Sequence, residues 1–130
     1  MKIKLKVVLS IGAILMFLMG LGMTVATSAM LENFGHDINP SSLHFARAAG
    51  AAVLGLGIMT WLARNSDPSQ ARNALVAGLS IVYILEAIVD LRAIMNGTYG
   101  ADAWFTGVIP WLVLLTLTVI AGRTAMAEEN

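Results

Sequence analysis

The chain has 130 residues, 58% hydrophobic and 12% charged, with a formal net charge of zero. Soluble domains carry about 25% charged residues, so most of this surface is built to face something other than water, and a neutral chain has no field to draw nucleic acid. Cysteine is absent, which excludes disulfides, thiolate metal sites and cysteine nucleophiles.

Lys2, Lys4 and Lys6 precede an apolar run from Val7 to about Ala26. With Thr27-Ser28-Ala29 as a cleavage site, this start resembles a signal peptide. The run is longer than an h-region of roughly 7–15 residues, and it suffices to cross about 30 Å of hydrocarbon. It is read as a retained first transmembrane helix over residues 7–28; cleavage would leave three spans. Continuous apolar runs favour helices over barrel strands. Gly20, Thr24 and Ser28, four apart, form a small stripe against which a neighbouring helix can pack.

The first loop, residues 30–42, holds Glu32, His36 and Asp37. Adjacent His36 and Asp37 diverge, so no metal site is expected. Asn39-Pro40 reads as N-cap and first helical residue. The second span follows over residues 43–63, with small pairs Ala48/Ala52 and Ala51/Gly55, Gly50 and Gly57 alongside, and Trp61 at the interface. Asp67, Pro68 and Gln70 read as a capping box. A short second loop makes the second and third spans antiparallel neighbours.

The third span, residues 70–95, carries Glu86 and Asp90 in its second half and stops at Asn96-Gly97. Asp102 is a candidate N-cap for the fourth span, residues 104–122, where Pro110 should kink the helix or loosen its first two turns. Trp104 suits the interface, whereas Trp111 lies deeper without an evident reason. The tail from Arg123 reads as short and disordered. The whole is expected to be one domain, an all-α bundle of four transmembrane helices.

With a cytoplasmic N-terminus, Lys2, Lys4, Lys6, Arg64, Arg72 and Arg123 fall inside and Arg47 and Arg92 outside, as the positive-inside rule favours. Both termini are then cytoplasmic, in a bacterial plasma membrane. Arg47 lies about 6 Å below the outer end of its span at about 1.5 Å per residue. Asp90 lies at similar depth and Glu86 a turn deeper. Glu86 and Asp90 share a helix face, with Tyr83 nearby; His44 and Arg47 share a face of the second span. Charges at bilayer depth turn inward and seek partners, so Arg47 is expected to meet Asp90 or Glu86, while Arg92 snorkels to the headgroups. The candidate site is therefore Arg47, Glu86, Asp90, His44 and Tyr83. It is either an ion pair that fixes helix contacts or a polar cavity for a headgroup, quinone, cation or proton.

No glycine-rich phosphate loop and no triad context is present, so enzymatic chemistry is not expected, and no motif names a cofactor. Ala46-Arg47, Gly50, Leu54-Gly55-Leu56-Gly57, Trp61 and Ala63-Arg64 in the second span resemble the pattern of DoxX-like and related small bacterial four-helix membrane proteins. That resemblance implies a four-helix bundle, with some members linked to quinone-dependent redox chemistry as subunits of larger assemblies. The expectation is a non-enzymatic accessory subunit or homo-oligomer within the lipid bilayer, with a polar site near the outer leaflet. The alternatives are a proton-coupled carrier of small cations using Glu86, as small multidrug transporters use a membrane glutamate in their first helix, and a quinone-binding subunit with Trp111 and Tyr83 as ring contacts.

Overall fold

A computed structural model describes residues 4–100 and 102–127. Lys2 and the last three residues of the tail lie outside them. The architecture is all-α. The helices are α1 (Leu5–Val25), α2 (Thr27–Asn33), α3 (Pro40–Ala63), α4 (Gln70–Met95) and α5 (Ile109–Ala127), the last preceded by a π-helical segment, Trp104–Val108. Leu5–Val25, Pro40–Ala63, Gln70–Met95 and Trp104–Ala127 are each long and apolar enough to cross a membrane. The chain is thus a multi-pass membrane protein.

Local chemistry sets the boundaries. Asn39 caps α3: its Oδ1 accepts from the N–H groups of Ser41 and Ser42, both at 3.0 Å, and Ser42 Oγ accepts from Asn39 N–H at 3.0 Å. Pro40 then stands first, where its missing N–H costs nothing. The cap of α4 is Ser69 and not Asp67: Ser69 Oγ accepts from Arg72 N–H at 3.2 Å, and an extended Ser69 leaves Pro68 ahead of the helix. Asn96-Gly97 ends α4 as the sequence indicates. Gly97 takes φ +74°, and the N–H groups of Gly97 and Thr98 return to the carbonyls of Ile94 and Ala93, satisfying acceptors the helix would otherwise leave open.

Three expectations are corrected. The first loop does not start at Met30, because the chain breaks at Ala26 (φ −112°, ψ 40°) and resumes as α2. Thr24 Oγ1 donates to the carbonyls of Gly20 and Leu21, and Thr27 Oγ1 to that of Met23 at 2.7 Å; hydroxyls that back-bond this way bend helices. The tail does not begin at Arg123, since α5 continues to Ala127. Asp102 caps through its backbone, its carbonyl accepting from Phe105 and Thr106.

The described residues divide into two compact units, residues 10–62 and residues 4–9 with those of 63–127. In the first, α1 and α3 run antiparallel at backbone contact. A Cβ on Gly50 would stand 2.6 Å from Met23 Cβ, and one on Gly57 2.8 Å from Phe17 N; one on Gly20 would strike the Leu54 backbone. The stripe in use is therefore Ala13, Met16, Gly20 and Thr27 against Ala46, Gly50, Gly57 and Thr60. Ser28 and the expected pairs Ala48/Ala52 and Ala51/Gly55 are exposed instead.

In the second unit α4 and α5 are antiparallel neighbours. Val76, Leu79, Tyr83 and Ala87 form the buried stripe of α4; Val108, Leu114, Thr118, Ala121 and Gly122 form that of the opposing segment. Gly122 lies against Val76 at one end of the seam.

The glycines give a contrast that thermal unfolding in detergent can read. Gly57→Ala should destabilise by about 1–3 kcal/mol, because the new methyl meets backbone that cannot yield. Gly55→Ala, with nothing within 4 Å, should be neutral or stabilising by up to about 1 kcal/mol. Equal losses at both positions would reject backbone contact at Gly57.

Candidate functional site

The α4–α5 seam carries polar chemistry at the C-terminal end of α4. At about 1.5 Å per residue, Asp90 lies about 8 Å and Glu86 about 14 Å from the end of the helix at Met95. Asp90 Oδ2 accepts from the Trp111 indole Nε1–H at 3.0 Å. The Trp111 ring stacks on Tyr83, centroids 5.9 Å apart and planes 22° from parallel, and Tyr83 is 1% exposed. This is the reason for the depth of Trp111: an indole N–H is a donor with no acceptor capacity, suited to a carboxylate.

A glycine completes the grip. A Cβ on Gly107 would stand 2.5 Å from Asp90 Oδ2 and 3.0 Å from its Cγ. Only at glycine can the α5 backbone come this close to the carboxylate. Gly107 lies in the π-helical segment, whose wider turn ends with Ile109 N–H donating to the Trp104 carbonyl. Pro110 has no N–H to offer the Thr106 carbonyl, which leaves one regular helical bond unmade next to the wider turn. The expected loosening of the first two turns thus takes the form of a π-helix.

Glu86 is half-buried, a turn below Asp90 on the same side of α4, and feels its charge. α5 offers it nothing comparable. The indole donor is taken by Asp90; Thr116 back-bonds to its own helix; and from Trp104 to Gly122 there is no ionisable side chain.

Tyr99 belongs to this end of the molecule. Its backbone N–H returns to the Ala93 carbonyl at 3.1 Å, folding the loop back over the end of α4. Its phenol is pushed above its ordinary value of 10.0, first by burial and then by the charges of Asp90 and Glu86.

Arg47 and His44 stand in the first unit. Both are exposed; Arg47 Nε–H donates to Thr27 Oγ1 at 3.4 Å, and the His44 ring meets Phe45 edge-on at 5.8 Å. A helix beginning at Pro40 sets Arg47 about 10 Å along α3, at about 1.5 Å per residue. Of the candidate residues, the structure therefore brings Tyr83, Glu86 and Asp90 together in one unit. It adds Trp111 and Gly107 as contacts of Asp90, and Tyr99 beside the acids. Arg92 is exposed in the last turn of α4.

An apolar groove of about 290 Å³ in the first unit is lined by Ala13, Ile14, Phe17, Gly57, Ile58 and Trp61 among others. It has no ionisable lining, so it is separate from the acidic cluster of the second unit.

A multi-pass helical protein with an acidic cluster on one helix is the class this geometry defines. The chain belongs to the family described as a domain of unknown function, DUF8292, whose sequence profile matches residues 1–124. No curated protein and no solved structure matches it.

The Tyr99 environment has a spectroscopic consequence. In a Tyr83→Phe background Tyr99 is the sole tyrosine, and its absorbance titration should have a midpoint above 10.0. Adding Glu86→Gln and Asp90→Asn should lower the midpoint part of the way back, since burial remains. The raised value means the folded protein holds the proton more tightly than the unfolded chain. This contribution to stability is complete below the ordinary value and is lost as pH rises through the raised one. An unchanged midpoint in the triple variant would place Tyr99 away from the acids.

Proposed function

We propose that this is a non-enzymatic integral protein of the cell membrane whose α4–α5 pair carries an acidic site in the outer half of the bilayer, taking up a proton or a small cation at Glu86 and Asp90. One observation supports this above the others. The helix packed against these acids brings no basic residue before Arg123, and its one indole N–H is already used by Asp90. An ionised side chain at the bilayer centre costs roughly 2.5–3.5 kcal/mol on insertion scales. Positive charge must therefore reach the pair from elsewhere, and a proton or cation supplies it.

The placement in the outer half rests on the distribution of basic residues. Cytoplasmic termini put six of the eight Lys and Arg on the inner side, with the C-terminal end of α4 facing out. The exposed face of Ala48, Ala51, Ala52 and Gly55 on α3 suits close approach by another helix, which supports an accessory-subunit or oligomeric role. A quinone role, implied by the DoxX-like resemblance, has less support. Tyr83 and Trp111 stack on each other, and Gly50 and Gly57 of the resembling stretch serve contact with α1.

Tetraphenylphosphonium, a lipophilic cation, tests the proposal. Added to the detergent-solubilised protein near neutral pH, it should displace protons in a saturable manner, followed with a pH indicator. The Glu86→Gln/Asp90→Asn variant should release none. Absence of release from the natural sequence, or equal release from the double variant, would reject the site.

A further inference from the structure

Among the described residues, one asparagine is followed by glycine. Asn33, Asn39, Asn65 and Asn73 precede Phe34, Pro40, Ser66 and Ala74, whereas Asn96 precedes Gly97. The next residue matters because its backbone nitrogen can attack an asparagine amide. Proline has no N–H to lose, and any other side chain crowds the approach; glycine offers an N–H and no Cβ. Asn96, Gly97 and Thr98 are all exposed, so water and hydroxide reach this pair. The fold opposes the attack in two ways. Asn96 is the C-cap of α4, with φ −84° and ψ 0°. A ψ of 0° eclipses the Gly97 nitrogen with the Asn96 nitrogen and rotates it away from Cβ, whereas closing a ring through Cγ needs the Gly97 nitrogen and Cβ on the same side. The Gly97 N–H also donates to the Ile94 carbonyl at 3.1 Å, and the Thr98 and Tyr99 N–H groups donate to the Ala93 carbonyl at 2.9 and 3.1 Å. These bonds depend on the reversal at Gly97, φ +74°.

We propose that Asn96 is a modification site, a deamidation site that the C-cap of α4 holds closed and that reacts when the cap opens. The Gly97 nitrogen gives up its proton and bonds to Asn96 Cγ, and the Cγ–Nδ2 bond breaks. The side-chain nitrogen leaves as ammonia, which carries the proton away. Water then opens the cyclic imide at either carbonyl. One opening gives aspartate; the other gives isoaspartate, with the backbone rerouted through Cβ and Cγ. No oxidant, reductant or cofactor takes part. Both products place a negative charge at the C-terminal end of α4, where the helix dipole is already negative. Isoaspartate also lengthens the backbone between Asn96 and Gly97, so the N–H groups of Gly97, Thr98 and Tyr99 lose their register with the Ile94 and Ala93 carbonyls. Those bonds fold Tyr99 back over the end of α4, and conversion releases it. The reversal is thus a one-way latch, whether or not the nearby acids bind a cation: an opening that lasts long enough to react prevents reclosing.

The test incubates the chain of natural sequence in nanodiscs at mildly alkaline pH, beside the same chain unfolded in guanidinium chloride. Peptide mass spectrometry reads the conversion of amide to acid at each asparagine. In the unfolded chain Asn96 should convert fastest. In the folded chain it should convert at least about tenfold more slowly, the retardation being set by how rarely the cap opens. Hydrogen exchange at the Gly97 amide should be slowed by a similar factor, because both reactions need the same opening. Thr98→Pro removes one cap bond and leaves the Asn96–Gly97 pair intact; it should speed conversion in the folded chain and not in the unfolded one. After conversion, the Thr98 and Tyr99 amides should exchange freely while those in the middle of α4 stay protected. Equal rates in the folded and unfolded natural chain would overturn the guard by the cap. Another asparagine converting faster than Asn96 in the unfolded chain would overturn the site. Protection of Tyr99 that survives conversion would overturn the latch.

Discussion

A carboxylate at membrane depth has to be met by the protein, because hydrocarbon offers no hydrogen bond and does not screen charge. Much of the second unit is arranged around meeting one such group. Asp90 needs a donor without a competing acceptor, and Trp111 supplies it. It needs the opposing backbone close by, and Gly107 permits that. The wide turn that carries Gly107 lies next to Pro110, which has no N–H to donate into a regular helix start. Tyr83 fills the seam behind the indole, and Gly122 lets α5 settle against Val76 further along. Each of these residues is explicable alone, but together they set one antiparallel register, with Asp90 at one end and Val76 at the other.

Both units rely on glycine for backbone approach, to different ends. Between α1 and α3 the glycines bring two apolar helices together where water exclusion supplies no drive, so contact gains come from packing alone. Between α4 and α5 Gly107 brings a helix backbone to a charge. Hydroxyls follow a third rule. Thr60, Ser80, Thr116 and Thr124 donate to the carbonyl four residues back, which satisfies them without a partner helix. Thr24 and Thr27 do the same near the end of α1, and there the helix breaks at Ala26, with no proline or glycine at the break. Two such hydroxyls in consecutive turns compete for the carbonyls of the last turn and bend it.

What could be read from the sequence was local. Four spans, the Asn39-Pro40 start, the Asn96-Gly97 stop and the loosened turn before Pro110 each depend on residues within a turn of one another. What could not be read was which face of a span meets which neighbour. α3 has small residues on several sides, and in lipid both the buried and the exposed faces are apolar, so periodicity does not select Gly50 and Gly57 over Ala51 and Gly55. Charge matching pointed from Asp90 to Arg47, whereas the partner of Asp90 within its unit is a neutral indole. The unexplained depth of Trp111 was the one sign of this in the sequence. Tyr99 left no sign, since its place near the acids depends on the reversal at Gly97.

The spacing of the two acids now has a geometric meaning. A pair at i and i+4 on a straight helix is often treated as one face, but the drift of about 40° is enough to put one acid on the helix–helix seam and the other on its rim. The seam position brings Asp90 within reach of the Trp111 indole and of the backbone at Gly107. Had the pair been placed at i and i+7, a drift of about 20° would have kept both on the seam, and both would have competed for the one indole N–H there. The i and i+4 spacing gives Asp90 the indole and leaves Glu86 beside it, turned about 40° round the helix from that donor.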